Sequence, residues 1–279
     1  MFEMFHLEFI TQAFILSVIT GLVLSYLGVH VVGRGIVFVD LALGQISSLG
    51  VAFSDYIDKG KTSIPVIFTL VGAFLLSFIN IRDKRLKQEA IIGIIYAIAS
   101  AVTVMLISKT PHGDSDIQEV LFGNILSVSW EQIKIVGVVF GMIALVHIIF
   151  HKKFWALTRR YENNEHQNIG VFNFWNFLFY ITIGLSIVFA VRMNGVIPVF
   201  SYLIIPAVSA ILLTSKNSKV LILALLVSIA GAFIGLNVSY YYDFPAGSSI
   251  VAMLGAVFFA AVIVKMIKET LLKKRSMEK

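Results

Sequence analysis

The sequence predicts an all-α, polytopic helical membrane protein, because the chain is very apolar and its apolar residues form long segments. Of its 279 residues, 58% are hydrophobic and 14% are charged, whereas about 25% are charged in a soluble domain. The mean hydropathy is +0.90. Nine segments have the length of about 20 residues that an α-helix needs to cross the hydrocarbon layer. They are 8–29, 36–54, 62–81, 90–108, 132–150, 172–191, 196–214, 219–240 and 247–267.

The basic residues orient these segments. If the nine segments alternate across the membrane, four clusters of Lys and Arg fall on one side, which the positive-inside rule identifies as the cytoplasm. The clusters lie in 82–87, 152–160, 216–219 and 268–275. We therefore expect a single transmembrane domain over 1–279 with eight or nine spans, an external N-terminus and a cytoplasmic C-terminus. The net charge of +6 then reflects contact with the inner leaflet, and no nucleic-acid partner is expected.

Several function classes are excluded by absent motifs. The chain has no cysteine, so thiolate metal sites and cysteine nucleophiles are ruled out. A phosphate-binding loop of the type Gly-x-x-x-x-Gly-Lys-Ser/Thr is also missing. If the chain takes part in ATP-driven transport, another subunit must therefore hydrolyse the ATP. An intramembrane enzyme would need a catalytic pair, which one isolated carboxylate does not supply, so no enzyme activity is expected.

Asp40 is the first candidate functional residue, because it interrupts the second apolar segment. A carboxylate in the hydrocarbon region is costly and normally faces a cavity, a bundle interior or an ion. One alternative stays open, in which Asp40 lies at the inner interface and pairs with Arg34, six residues before it.

Helical spacing gives Asp40 polar neighbours. The residues that share its face or border it are Gly44, Gln45, Ser47, Ser48 and Val51. Carboxylate, amide and hydroxyl oxygens suit a hard or partly hydrated cation. We therefore predict an ion pathway along this face, with Asp40 and Gln45 as transient metal ligands.

Two later segments add candidates for the pathway. In 196–214, Pro206 and the neighbouring Ser201 indicate a kinked helix that either borders a cavity or only shapes packing. In 219–240, Gly231 and Gly235 predict a close helix contact, and Asn237 follows as a polar candidate for the pathway.

Two loops are long enough to do more than connect spans. The outer loop 109–131 is predicted to hold a short amphipathic helix at the outer surface. The inner loop 151–171 is either a site gripped by a cytoplasmic partner or an interfacial helix anchored by Trp155. Its candidate coupling residues are Trp155, Arg159, Arg160, Glu165 and Gly170.

The histidines give a weaker signal. His147 and His151 have the spacing of a metal-binding pair on one helix face, but the adjacent lysines favour an interfacial role. His30 belongs to no recognisable group.

Four blocks of sequence together resemble a known family. They are VDLALGQISSLGVAF at 39–53, VLFGNILSVS at 120–129, GVIPVFSYLIIPA at 195–207 and YDFPAG at 242–247. In this combination and order the chain resembles the integral-membrane permease subunit of ABC transporters that import zinc, manganese or iron.

The resemblance implies a homodimeric permease in the bacterial cytoplasmic membrane, with the ion path at the dimer interface. It further implies two cytoplasmic ATP-binding subunits, an extracytoplasmic metal-binding protein, and no cofactor other than the transported divalent ion. Zinc is the nominal ion by family frequency. The alternative is a secondary cation carrier that works without an ATPase.

The chain departs from the family pattern in the second span. Many members have an Asp there and a His four residues later; the corresponding positions here are Leu41 and Gln45. Asp40 is displaced by one residue, which is about 100° around a helix. Its direction relative to the family's acid therefore has to be established by structure.

Overall fold

The computed structural model describes residues 3–78, 88–109, 121, 123–163 and 173–277. Regular structure in these ranges is entirely helical, as predicted. Ten α-helices are described: α1 (Glu8–Arg34), α2 (Val39–Tyr56), α3 (Ser63–Ser77), α4 (Gln88–Ile107), α5 (Trp130–Ile149), α6 (His151–Glu162), α7 (Phe174–Asn194), α8 (Val196–Leu213), α9 (Asn217–Tyr242) and α10 (Ala246–Met277). Short 3₁₀ helices cover Glu3–His6 and Ile125–Ser127.

All nine predicted apolar segments are helices. Seven of the described helices, namely α1, α4, α5, α7, α8, α9 and α10, are long and apolar enough to cross a membrane. The other two fall short for different reasons. The α3 helix has 15 residues, whereas α2 has 18 residues but carries polar side chains such as Asp40 and Gln45.

The helices pack in two groups. In the first group α9 contacts α1, α8 and α10, and α8 also contacts α1 and α10. In the second group α2 contacts α3, α4 and α7. The groups meet where α7 leads directly into α8. In addition, α1 and α2 each contact both α7 and α8. The α5 and α6 helices pack against α1 and α7.

Local sequence signals set several helix boundaries. Gly35 ends α1 with a φ of 66°, and its N–H bonds the carbonyls of Val31 and Val32. Ser129 and Gln132 form a reciprocal capping box at the start of α5. Gly231 and Gly235 allow α9 to lie directly against Leu254 and Ile250 of α10, which confirms the predicted close helix contact.

The ends of the bundle are defined by contacts between distant segments. At one end, α6 packs beside the end of α1, and Trp155 of α6 also joins a cluster with Val220 near the start of α9. We call this the α6 end. At the opposite end, Trp130 donates to Glu8 at 2.8 Å and Arg192 donates to Thr62 at 3.0 Å.

Only a short part of the predicted outer amphipathic helix is described. Ile125 of this loop is buried and lies in the 3₁₀ turn Ile125–Ser127, which contacts α1 and α10. The rest of the predicted amphipathic helix lies almost wholly outside the described residues.

Candidate functional site

The polar stripe of α2 lies inside the protomer. Asp40 is 2% exposed, and Gly44, Gln45, Ser47 and Ser48 are also buried. The α3, α4 and α7 helices surround α2. The predicted stripe is therefore covered by helices of the same chain and is not left open for a second copy.

Asp40 is not paired with Arg34, so the pairing in the alternative raised by the sequence is wrong, although Asp40 does lie in the first turn of α2, just after the turn that follows Arg34. The Asp40 carboxylate lies near the backbone N–H groups of Asp40 and Leu41 in the first turn of α2. Neither of its oxygens makes a hydrogen bond of ordinary geometry. The positive end of the α2 dipole favours an anion here, but no side chain neutralises it. Asp40 is thus a buried carboxylate without a counter-ion among the described side chains.

The rest of the stripe faces the junction of α7 and α8. A Cβ placed on Gly44 would lie 3.5 Å from Val196 and 3.8 Å from Val191. Ser47 lines a small cavity together with Thr62, Val188 and Arg192. Ser48 donates to the carbonyl of Gly44 at 3.0 Å, so this hydroxyl is used within α2.

The helical spacing of Gln45 does not favour a metal site shared with Asp40, and its role as a ligand stays a prediction. Five residues on a helix correspond to about 140° of rotation, so α2 alone does not aim Asp40 and Gln45 at one point. Among the described residues, no three His, Cys, Asp or Glu side chains form a metal-binding group. A site at Asp40 must therefore draw on neutral oxygens or water.

The three candidates outside α2 are not gathered in one place. Ser201 is buried on α8 and donates to the carbonyl of Ile197 at 2.8 Å, while Pro206 lies further along the same helix. Asn237 is half-buried on α9, and its amide nitrogen donates to the carbonyl of Phe233 at 2.8 Å. Because α9 packs chiefly on α1, α8 and α10, Asn237 belongs to the other helix group from Asp40.

A buried polar cluster at the α6 end was missed by the sequence analysis. Thr158 of α6 bonds two side chains of α1: its hydroxyl is 2.9 Å from Nδ1 of His30 and 3.2 Å from Nε of Arg34. Arg34 also donates to Asn176 at 3.3 Å, and its guanidinium lies 3.6 Å from the ring centre of Phe179. The signal that could have revealed it is the four-residue spacing of Tyr26, His30 and Arg34 on α1.

The histidine pair predicted at 147 and 151 is divided between two helices. The α5 helix ends at Ile149 and α6 starts at His151, so the four-residue relation on one helix is lost. His147 is buried, 2.9 Å from Thr182 and stacked on Phe154 at 4.1 Å. His151 is exposed and bonds the carbonyl of Ile148. The pair therefore forms no metal site.

The α6 helix is the described part of the predicted coupling loop. Trp155 is half-buried with its ring 4.7 Å from that of His30, so it packs inward rather than acting as an outer anchor. Arg159 and Arg160 are exposed. Burial raises the pKa of Tyr161, although the nearby charge of Arg34 opposes the shift. Glu165 and Gly170 lie outside the described residues.

Comparison with known families gives a match across most of the chain. The model of the ABC 3 transport family matches residues 6–265.

Individual relatives are similar over nearly their whole length. The manganese transport system membrane protein MntC of Listeria monocytogenes is 30% identical over 260 residues, covering 92% of this chain and 90% of the relative. A Haemophilus influenzae protein named "Probable iron transport system membrane protein" is 26% identical, with 94% and 92% covered. Among solved structures, a chain of PsaBC from Streptococcus pneumoniae in complex with Fab has a TM-score of 0.76 at 26% identity, with 91% of each chain covered.

Proposed function

Because the chain belongs to the ABC 3 transport family, we propose that it is the membrane-spanning permease subunit of an ATP-driven importer of divalent metal ions. The names of its manganese and iron relatives support a metal ion as the transported substrate. The absence of a phosphate-binding loop from the sequence supports a separate ATPase subunit. The chain itself works as a transport subunit rather than an enzyme, and the metal is cargo.

The observation that carries this proposal is the buried, unneutralised carboxylate of Asp40. A buried charge is normally paired or bound to a metal, and an intramembrane acid marks an ion path. Asp40 lies at the start of a stripe of small and hydroxyl residues that faces the junction of α7 and α8. The ion is proposed to pass along this stripe, with Asp40 as the charged contact.

Manganese is the first choice of ion. The stripe offers carboxylate, amide and hydroxyl oxygens. Mn²⁺ prefers such oxygen ligands to the softer nitrogen and sulfur ligands. One of the relatives most similar in sequence is named for manganese. Zinc, the nominal choice from the sequence, has no histidine on α2 to bind it.

The proposed partners are assigned to opposite ends of the bundle. The α6 end, with exposed Arg159 and Arg160, is placed in the cytoplasm against an ATP-binding subunit, two copies of which serve a homodimer of this chain. The opposite end then faces an extracytoplasmic metal-binding protein. The membrane is the bacterial cytoplasmic membrane. The homodimer itself rests on the family resemblance, since one protomer already covers the α2 stripe.

The test is uptake of radioactive Mn²⁺ into proteoliposomes that contain this chain and its ATPase subunit, with the extracytoplasmic metal-binding protein added on the side opposite the ATPase. We expect uptake to require ATP on the ATPase side. Asp40→Asn should lower the rate by about tenfold or more, since loss of metal-site groups typically costs that much. Asp55→Asn is the matched control, because Asp55 is an exposed carboxylate at the other end of α2.

Two results would contradict the proposal. Uptake by Asp40→Asn at the wild-type rate would show that the transported ion does not depend on the Asp40 carboxylate. Uptake that is driven by a proton or sodium gradient without ATP would identify a secondary carrier instead.

A further inference from the structure

The junction between α7 and α8 is a buried turn two residues after Arg192, toward the end of the bundle opposite the α6 end, and we call it the break. Asn194 ends α7 with 1% of its surface exposed, and Gly195 follows with φ 80° and ψ 165°. The amide of Asn194 reaches Thr20, which lies about 18 Å along α1 at 1.5 Å per residue.

The side chain of Asn194 leaves one buried acceptor unused. Its Nδ2 donates to the carbonyl of Ala190 at 3.1 Å and to the hydroxyl of Thr20 at 3.5 Å. Because these two bonds fix the orientation of the amide, Oδ1 must point the other way. Oδ1 is buried and has no hydrogen-bond partner. The site thus presents a fixed neutral oxygen that no described donor uses.

The end of α7 adds backbone oxygens to the same place. The N–H of Gly195 bonds the carbonyl of Val191. The carbonyls of Arg192, Met193 and Asn194 have no backbone partner in the described ranges. The C-terminal end of a helix also carries a partial negative charge, which favours a cation there.

The break adjoins the α2 stripe on one side and is closed on the other. The two valines that flank it, Val191 and Val196, lie against Gly44 of α2. Gly123, with a φ of 68°, lies so close that a Cβ would overlap the peptide bond between Asn194 and Gly195. Backbone of the segment that precedes α5 therefore seals the break, while α2 leads from it toward Asp40.

We propose that Oδ1 of Asn194 and the free carbonyls at the end of α7 form a second, uncharged oxygen site for the transported divalent cation. This proposal rests on the proposed function. It adds Asn194 as a residue that determines which ion is transported. A cation passing the break would bind neutral oxygens first, which favours a hard ion such as Mn²⁺, and would then reach the charged Asp40.

The test uses the complex of this chain with its ATPase subunit, with the extracytoplasmic metal-binding protein supplied on the opposite side, and its readout is the KM for Mn²⁺ in ATP-driven uptake. Asn194→Asp places a charged oxygen at the break and should lower the KM several-fold. Asn194→Leu removes the oxygen at similar volume and should raise the KM by about tenfold. Ser25→Ala is the control, because Ser25 is a buried hydroxyl on α1 that bonds the carbonyl of Gly21 in its own helix.

Opposite KM shifts in the two Asn194 variants support the site, because a purely structural residue would alter assembly or the maximal rate instead. An unchanged KM in Asn194→Asp overturns it. If Asn194→Leu does not assemble, Asn194→Asp alone decides the matter by the same criterion. A wild-type complex that imports no divalent ion would refute the proposed function, whereas unchanged KM values in an active complex refute only the Asn194 site.

Discussion

Arg34 and Asp40 are both buried charges, six residues apart on either side of the turn between α1 and α2. Neither has a counter-ion among the described side chains, and Nη2 of Arg34 is also unpartnered there, but the two residues differ in their other contacts. Arg34 is 5% exposed and is held by Thr158, Asn176 and the ring of Phe179. Asp40 is 2% exposed, and neither of its oxygens has a partner. Burying a charge is costly unless other groups compensate for it.

The difference separates a structural charge from a functional one. The partners of Arg34 come from α6 and α7, so its charge ties three helices together at the α6 end. The Asp40 carboxylate makes no hydrogen bond or ion pair with another described helix, so the fold gains no evident stability from it. A charge that the protein does not use for its own stability is available to a mobile cation. Substitutions at the two positions should therefore have opposite effects on stability.

Arg34→Met should show the largest effect. It removes a guanidinium that makes hydrogen bonds to Thr158 and Asn176, and each bond of a charged group is worth about 1.5–3 kcal/mol. We expect the free energy of unfolding to fall by about 3 kcal/mol. The measurement is a titration with a denaturing detergent, followed by circular dichroism of the purified chain in micelles. An unchanged midpoint of the unfolding transition would show that Arg34 does not stabilise the fold.

Thr158→Val should destabilise the chain less. The change keeps the volume but removes the hydroxyl that bonds both His30 and Arg34, so a loss of about 1–2 kcal/mol is expected in the same titration. Thr270→Val is the control, since Thr270 is exposed on α10 and bonds only within its own helix. Equal effects of the two valines would show that Thr158 does not fasten α6 to α1.

Asp40→Asn should act in the opposite direction. Replacing an uncompensated buried carboxylate with a neutral amide of the same shape should raise the free energy of unfolding by about 1 kcal/mol, while metal uptake falls. A clear loss of stability would mean that the fold depends on the Asp40 charge, and the contrast with Arg34 would no longer hold.

His151→Ala should show the smallest effect. This side chain is exposed and bonds a backbone carbonyl in its own turn, so the free energy of unfolding should change by no more than about 0.5 kcal/mol. His147→Ala, which removes a buried ring that bonds Thr182 and stacks on Phe154, should cost about 2 kcal/mol. Similar values for both would mean that the two histidines have similar environments in solution.

The helices could be predicted from the sequence because each apolar segment has the length of a span. The glycine contact of α9 with α10 was also predictable, since Gly231 and Gly235 recur at a helical spacing. The surroundings of His30 could not be predicted, because Thr158 lies 128 residues away in sequence and reaches it through packing of α6 on α1.

The same limit applies to the candidate site. The sequence identified Asp40 from one acid in an apolar run, but whether it pairs with Arg34 depends on tertiary contacts. The break at Asn194 is equally hidden, because its unused oxygen follows from the positions of Ala190 and Thr20 together. Sequence patterns therefore located the elements and one charge, and the three-dimensional packing distinguished the roles of the charges.

The central claim is that a divalent cation contacts the carboxylate of Asp40. Its most direct test is a Mn²⁺ titration of the purified transporter complex without ATP, in which electron paramagnetic resonance counts the bound ions. We expect Asp40→Asn to bind one ion fewer per copy of this chain than the wild type and Asp55→Asn to bind the wild-type number. Equal Mn²⁺ binding by the wild type and Asp40→Asn would contradict the claim.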